Sequence, residues 1–323
     1  MDNIRKIGVL TSGGDSPGMN AAIRAVVRFG IDLRFEVYGI ERGFTGLIEG
    51  DVRRMDRFSV ADILQRGGTI LKTARSEKFM TKEGFSAAVE NIGKFGLDAL
   101  IVIGGNGSLK GAKALADAGV RVAFIPASID NDLGYTEASI GFDTAVNTVL
   151  DAITRIRDTS SAHERTTVIE VMGRDCGDIA LYSGVAGGAE FVLLPEVKTD
   201  IEDMIYKVTE GIDRGKMHSI IIRAEGAEPS SDETVRQISQ RTGRDVRLVV
   251  LSYLQRGGSP TLRDRLIATD FARAAVEIIR TGGSGFAVGL SCGGVTDFPI
   301  EEAISYTKPF ERNVYEAIDI LSR

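Results

Sequence analysis

Tryptophan is absent from the 323 residues, cysteine and histidine occur twice each and proline seven times, and these shortages remove whole classes of protein. Cys176 and Cys292 stand in no metal-ligand spacing and cannot staple a small scaffold, so a disulfide framework and a thiolate metal centre drop out. They are expected to be inert core thiols in a reducing cytosol. With only His163 and His218, an imidazole metal site has too few ligands. No run approaches the roughly 18 apolar residues of a membrane span, and the N-terminus lacks the charged-then-apolar layout of a signal peptide, which predicts a soluble cytoplasmic protein. Positive charge is in deficit as well. A net charge of −6 argues against a nucleic-acid binder, whose affinity rests mainly on a basic surface, so any anionic ligand must meet locally placed arginines.

What is present is enough hydrophobic residue, 43%, to bury one large or two moderate cores. Short Val- and Ile-rich runs alternate with longer segments of helical period, the pattern of βα units on a mostly parallel sheet. Strands are expected at Ile7–Leu10, Glu36–Ile40, Ala99–Ile103, Val122–Pro126, Thr167–Val171, Phe191–Leu194, Ser219–Arg223 and Arg247–Leu251. A helix from about Thr144 to Thr159 repeats Val146, Val149, Leu150, Ile153 and Ile156 on one face, and it can carry the chain between two lobes. No Pro/Gly/Ser-rich linker separates them, so the fold class is α/β with two closely packed lobes.

The residues suited to chemistry gather where strands end, the place where open α/β sheets bind ligands. Thr11-Ser12-Gly13-Gly14-Asp15-Ser16-Pro17-Gly18-Met19-Asn20 joins the first strand to a helix, and its glycines let backbone N–H groups approach a phosphate. An ordinary glycine-rich turn accounts for one such loop equally well. A second, Ile103-Gly104-Gly105-Asn106-Gly107-Ser108, again opens a helix, and the pair suggests a polyphosphate lying across adjacent strand ends. Pro126-Ala127-Ser128-Ile129-Asp130-Asn131-Asp132 then offers two carboxylates two residues apart, able to serve as a base and a metal-side ligand, although capping aspartates in a polar turn would look the same.

These three segments, in this order and spacing, resemble the bacterial ATP-dependent phosphofructokinase family. Met172-Gly173-Arg174, Pro195-Glu196-Val197, Glu225 and Gln255-Arg256-Gly257-Gly258-Ser259-Pro260 extend the likeness over nearly the whole chain. The resemblance implies two Rossmann-like three-layer lobes with the active site in the cleft between them. Residues 1–140 with about 256–305 would form the larger, nucleotide-binding lobe, and about 141–255 with 306–323 the smaller, sugar-phosphate lobe. It also implies transfer of a phosphoryl group from ATP to the 1-hydroxyl of fructose 6-phosphate, with Mg2+ as cofactor.

Carried over by position, Asp130 matches the base that accepts the hydroxyl proton and Asp132 the metal-facing carboxylate, while Arg75 and Arg174 are candidates to stabilise transition-state charge. Gly14, Arg75, Ser76, Gly105, Asn106, Gly107 and Ser108 match the nucleotide site. Ser128, Ile129, Arg165, Met172, Gly173, Arg174, Glu225, Arg247, Tyr253 and Arg256 match the sugar-phosphate site, where arginine can grip a phosphate with paired hydrogen bonds. The counterparts of Arg165 and Arg247 reach in from a neighbouring subunit, which implies a homotetramer. Arg24, Arg28, Arg57, Arg157, Glu190, Arg214, Lys216 and His218 match an effector pocket for ADP or phosphoenolpyruvate; by spacing alone, Arg24 and Arg28 read as a solvated helix face.

The chain also departs from the family pattern. Asn106 stands where an aspartate associated with magnesium is usual, Ala127 and Ser128 replace Gly and Thr, and Tyr253 replaces a histidine of the sugar site. Lys72 replaces a glycine and Ser76 an aromatic residue on the adenine side. Gly107 and Ala127 favour ATP, because pyrophosphate-using relatives usually carry Asp and Lys there. A pyrophosphate-dependent or other-donor enzyme and a catalytically weak regulatory paralogue remain the alternatives.

Overall fold

The run Ala99–Gly104 is buried at every residue and forms the middle of a sheet covered on both faces, as a continuously apolar parallel strand requires. It lies in a computed structural model that describes residues 4–322. Eleven strands follow one another among the described residues: β1 (Lys6–Ser12), β2 (Glu36–Ile40), β3 (Val52–Met55), β4 (Ala99–Gly104), β5 (Arg121–Pro126), β6 (Thr166–Val171), β7 (Phe191–Leu193), β8 (Ser219–Ala224), β9 (Val246–Val250), β10 (Phe286–Ser291) and β11 (Gly294–Pro299). The helices are α1 (Met19–Asp32), α2 (Gly43–Glu49), α3 (Lys82–Phe95), α4 (Asn106–Asp117), α5 (Phe142–Ala162), α6 (Asp178–Gly187), α7 (Ile201–Asp213), α8 (Ser231–Thr242), α9 (Leu262–Arg280), α10 (Ile300–Ser305) and α11 (Arg312–Leu321).

The chain divides into two units. The first takes the residues up to Ile129, Leu133–Asp143 and Arg256–Lys308. Its sheet has the order β11-β10-β5-β4-β1-β2-β3, parallel except for the antiparallel outer pairs β10/β11 and β2/β3. Side chains alternate between its faces: Ile7, Val9, Ile101 and Ile103 pack with α1 and α9, where Ile23, Val27, Phe271 and Ala275 lie. Leu10, Leu100 and Val102 pack on the other side with Leu47, Ile92, Leu109 and Ala303 of α2, α3, α4 and α10. The second unit takes Asp130–Asp132, Thr144–Gln255 and the residues from Pro309. Its sheet, β7-β8-β6-β9, is wholly parallel, and helix α11 packs on α6.

All eight expected strands form, within two residues of their bounds, and the helix expected over 144–159 is longer at both ends as α5. Three strands were not expected. Val52–Met55 carries two central arginines and pairs only along one edge, so it lacks the apolar run that betrays an inner strand. Phe286–Ser291 and Gly294–Pro299 form a hairpin whose two linking residues, Cys292 and Gly293, both adopt left-handed backbone angles, φ 50° and 74°. That is the signature of a type I′ turn, usually announced by Asn-Gly instead of Cys-Gly. The same turn corrects the expectation for Cys292, which is exposed; Cys176 is buried, and burial followed by the charge of Asp178 raises its thiol pKa.

Tyr135 carries a buried hydroxyl with no partner among the described residues, and burial raises its pKa. Removing an unsatisfied buried oxygen while keeping the ring, which packs edge-on to Phe298 at 5.4 Å, relieves a desolvation penalty. Tyr135→Phe is therefore expected to raise unfolding free energy by about 1 kcal/mol, read from the denaturant midpoint at unchanged slope. A lower midpoint would show that the hydroxyl is satisfied.

Candidate active site

Strands β1 and β4 are neighbours, with Ser12 opposite Gly104, yet the chain leaves β1 toward β2 and β4 toward β5. This reversal is the switch point at which open α/β sheets bind ligands, and both glycine loops sit there. Ser108 fastens one to the other, its Oγ donating to Ser12 O at 2.9 Å. Gly104 is required at that contact, because a Cβ would lie 2.5 Å from both Ser108 Oγ and Ser12 O. Gly14 faces Arg256: a Cβ there would stand 2.6 Å from Nη1, which donates to Asp15 O at 3.2 Å. Arg256, expected on the sugar side, thus lies against the loop expected to hold the nucleotide.

Helices α3, α7, α8 and α9 are capped by the side chains of Thr81, Asp200, Ser230 and Thr261. Helices α1 and α4, which follow the glycine loops, start at Gly18 and Gly105 with no side-chain cap, as do α2, α6, α10 and α11 elsewhere. The opening N–H groups and dipoles of α1 and α4 face the switch point without a competing carboxylate or hydroxyl cap, the arrangement that suits a phosphate. Asn106 and Gly107 occupy the exposed first turn of α4. Exposed Arg75 and half-buried Ser76 lie on a segment held beside β1 by the polar side chains of Asn20, Thr11 and Thr73. Asn20 donates to Arg66 O and Gly67 O and accepts from Ile70 N–H, Thr11 Oγ1 donates to Lys72 O, and Thr73 Oγ1 donates to Gly13 O. Ser128 is tied through its main chain to Ile140 and Ser139, and the Ile129 side chain is buried.

In the second unit, Asp130 is buried with its Oδ2 3.7 Å from Arg174 Nε. Asn131 is left-handed, φ 53°, and its amide donates to Asp178 at 2.8 Å, so the tripeptide turns between a buried Asp130 and a half-buried Asp132. Gly173 and Arg174 are also left-handed, φ 143° and 53°, and a Cβ on Gly173 would lie 2.2 Å from Cys176 O. Glu225 fixes this turn by accepting the Arg174 N–H at 3.0 Å, and Gln255 accepts the Met172 N–H at 3.2 Å. Met172, Gly173, Arg174, Glu225 and Gln255 therefore meet at the carboxyl ends of β6, β8 and β9. Tyr253, in the short 3₁₀ turn Ser252–Arg256, is 77% exposed.

Two members of the expected sugar set lie elsewhere. Arg165 precedes β6 and Arg247 is the second residue of β9; both pair with Asp245, at 2.7 and 3.1 Å. They stand at the amino ends of the strands, whereas Arg174 follows the carboxyl end of β6, a strand about 17 Å long at roughly 3.3 Å per residue.

The expected effector residues are found in both units. On α1, Arg24 and Arg28 are half-buried instead of solvated: burial first, then the neighbouring Arg28 charge, lowers the Arg24 pKa. Arg57 stands 3.8 Å from Asp32. In the second unit Arg157 donates to Gly187 O and Gly188 O and meets His218 Nε2 at 3.2 Å. Glu190, Arg214 and Lys216 line a cavity of about 380 Å³ with Asp203, Lys207 and Asp319. Burial opposes the Lys207 charge, but its contacts to Asp203 and Asp319 outweigh this and raise its pKa. Nothing in the sequence pattern marked those three.

A sheet reversal with two uncapped helix starts, fastened together by a serine hydroxyl, defines an α/β protein built to hold a phosphate-bearing ligand. The chain belongs to the phosphofructokinase family, whose sequence model matches residues 6–279. It is 53% identical over 319 residues, 99% of this chain and 100% of the relative, to the ATP-dependent 6-phosphofructokinase of Clostridium tetani. Identity to the enzyme of that name from Clostridium botulinum (strain Hall) is 49% over 320 residues, again 99% and 100% of the two chains. The solved T-state phosphofructokinase of Pichia pastoris superposes with a TM-score of 0.90 at 31% identity; the match covers all of this chain and 37% of that longer one.

Proposed function

We propose that the chain is an ATP-dependent 6-phosphofructokinase, passing the γ-phosphoryl of ATP to the 1-hydroxyl of fructose 6-phosphate. The observation that carries this reading is a buried carboxylate, Asp130, set against the guanidinium of Arg174: a proton acceptor next to a cation that can offset charge on a phosphoryl group in transit. The glycine loops and helix starts at Gly14 and Gly105–Ser108 hold the donor phosphates, with Arg75 on its tethered segment as a second cation. Met172, Gly173 and Glu225 receive the sugar, together with Arg256. Relatives carrying this activity in their names, at about half identity over the whole chain, support ATP as the donor. A coupled assay for fructose 1,6-bisphosphate with ATP, GTP and pyrophosphate decides it; product from pyrophosphate alone would overturn the donor.

The metal reading rests on oxygen donors. Among the described residues there is no group of three His, Cys, Asp or Glu able to cage an ion. By their match to the family pattern, Asn106 of the first unit and half-buried Asp132 of the second are assigned to Mg2+, which is held through one or two carboxylates plus substrate phosphates. When bound, magnesium offsets charge on the donor phosphates. An amide at position 106 attracts a divalent ion less than a carboxylate would, so Asn106→Asp is expected to lower the magnesium concentration for half-maximal activity about tenfold, or ~1.4 kcal/mol. Titration of free magnesium at fixed nucleotide measures it. An unchanged or weaker dependence would remove position 106 from the metal site.

The opposite placement of Arg165 and Arg247 supports their serving a neighbouring copy's sugar phosphate, in a homotetramer. By their match to the family pattern, Arg24, Arg28 and Arg57 of the first unit and Arg157, Glu190, Arg214, Lys216 and His218 of the second are assigned to binding ADP or phosphoenolpyruvate as effector. The cytoplasm suits free thiols at Cys176 and Cys292, and among the described residues no helix is long and apolar enough to cross a membrane.

A further inference from the structure

We infer that Arg223 is a positioning residue for the sugar side of the site, acting through Glu225. It is the penultimate residue of β8, follows Ile220, Ile221 and Ile222, and is 4% exposed. An isoleucine-like side chain would fill such a strand position without the cost of burying a charge, and a buried ion pair is by itself weak grounds for stability. The guanidinium has a definite use instead. Nε donates to Pro229 O at 2.8 Å, Nη1 reaches Glu225 O at 3.4 Å, and Nη2 donates to Ala227 O. Nη1 also donates to Glu170 Oε2 at 2.9 Å, and Ser231 Oγ donates to the same oxygen. One planar fork thus collects three carbonyls of the segment 225–229 and anchors it to β6 through Glu170.

That segment carries Glu225, and its neighbour Gly226 presses on Arg174, where a Cβ would come 1.9 Å from Arg174 O. Glu225 Oε1 accepts the Arg174 N–H at 3.0 Å, and Arg174 Nε stands 3.7 Å from Asp130 Oδ2. Contacts therefore run without a gap from Glu170 and Arg223 through the segment to the Arg174 turn beside Asp130. Arg223 touches no reacting atom. Its fork sets where Glu225 stands, a task for which lysine, with one ammonium, lacks the geometry.

The inference rests on Glu225 being a sugar ligand, and the experiment separates the two. Glu225→Ala comes first: unchanged half-saturation for fructose 6-phosphate would remove Glu225 from the site and overturn that reading. With Glu225 in place, Arg223→Lys is expected to raise half-saturation about tenfold, the scale on which a misplaced binding group acts, and to lower kcat less. In the Glu225→Ala background, the same change should shift half-saturation by less than about twofold, because its target is gone. Glu170→Gln, which keeps an acceptor and loses the charge, should shift it in the same direction by less. Calorimetric binding of fructose 6-phosphate to the folded variants supplies a readout apart from turnover. An equal shift with and without Glu225, or half-saturation untouched in both Arg223→Lys and Glu170→Gln, overturns the proposal.

Discussion

Asp130→Asn is expected to lower kcat by about 10²- to 10⁴-fold while leaving the affinity for fructose 6-phosphate within about threefold, the pattern of a lost proton acceptor in an intact site. Asparagine preserves the shape of a side chain that is only 6% exposed, so the buried turn keeps its packing. The partner Arg174 is 50% exposed, and water can solvate the guanidinium when its carboxylate is replaced. Little stability should therefore be lost, and the defect should fall on chemistry. Steady-state kcat, with the sugar-phosphate Kd measured separately by calorimetry, tests the assignment. Near-normal turnover would sink it.

The parallel strands were legible because their periodicity is a direct record of burial: Ala99–Gly104 has no polar residue, and none is exposed. The edge elements escaped for the matching reason. Val52–Met55 turns Arg53 and Arg54 outward, and β11 places Thr296 and Asp297 in a largely exposed row, so neither shows the apolar run of an inner strand. The loop glycines could be read as turns, whereas the close contacts that some of them make lie far along the chain; a Cβ at Gly107 would meet nothing, and one at Gly105 only ordinary contacts. Gly104 yields to Ser12 and Ser108, Gly226 to Arg174, and Gly14 to Arg256, more than 200 residues away. Asn20, Thr11 and Thr73 are polar residues whose main-chain partners no local pattern specifies. Arg223 looked like the end of an apolar strand, and only the return of the segment 225–229 over it reveals a use for its charge.

Arg247→Ala is expected to raise half-saturation for fructose 6-phosphate by about 10- to 100-fold, the worth of a charge-assisted hydrogen bond of ~1.5–3 kcal/mol. Arg165→Ala should behave alike, and for both kcat should change less, because the 6-phosphate does not react. The sharper outcome concerns mixtures. Arg165 and Arg247 share Asp245 at the amino ends of β6 and β9, whereas Arg174 and Glu225 stand at the carboxyl ends of the same sheet. If two copies exchange these arginines, an Asp130→Asn chain still lends its Arg247 to a partner whose own base is intact. Co-assembling Asp130→Asn with Arg247→Ala at equal ratio should then restore activity that neither has alone. For pairs related by a two-fold axis and mixed at random, half are hybrids, and each hybrid holds one native site of two. About a quarter of the wild-type sites should return. Activity at fructose 6-phosphate concentrations too low to saturate the Arg247→Ala protein, followed as the mixing ratio is varied, should peak near equal proportions. A straight line between the two pure variants would mean that each copy builds its sugar site alone, and that the arginines at the amino ends of β6 and β9 serve only to hold Asp245.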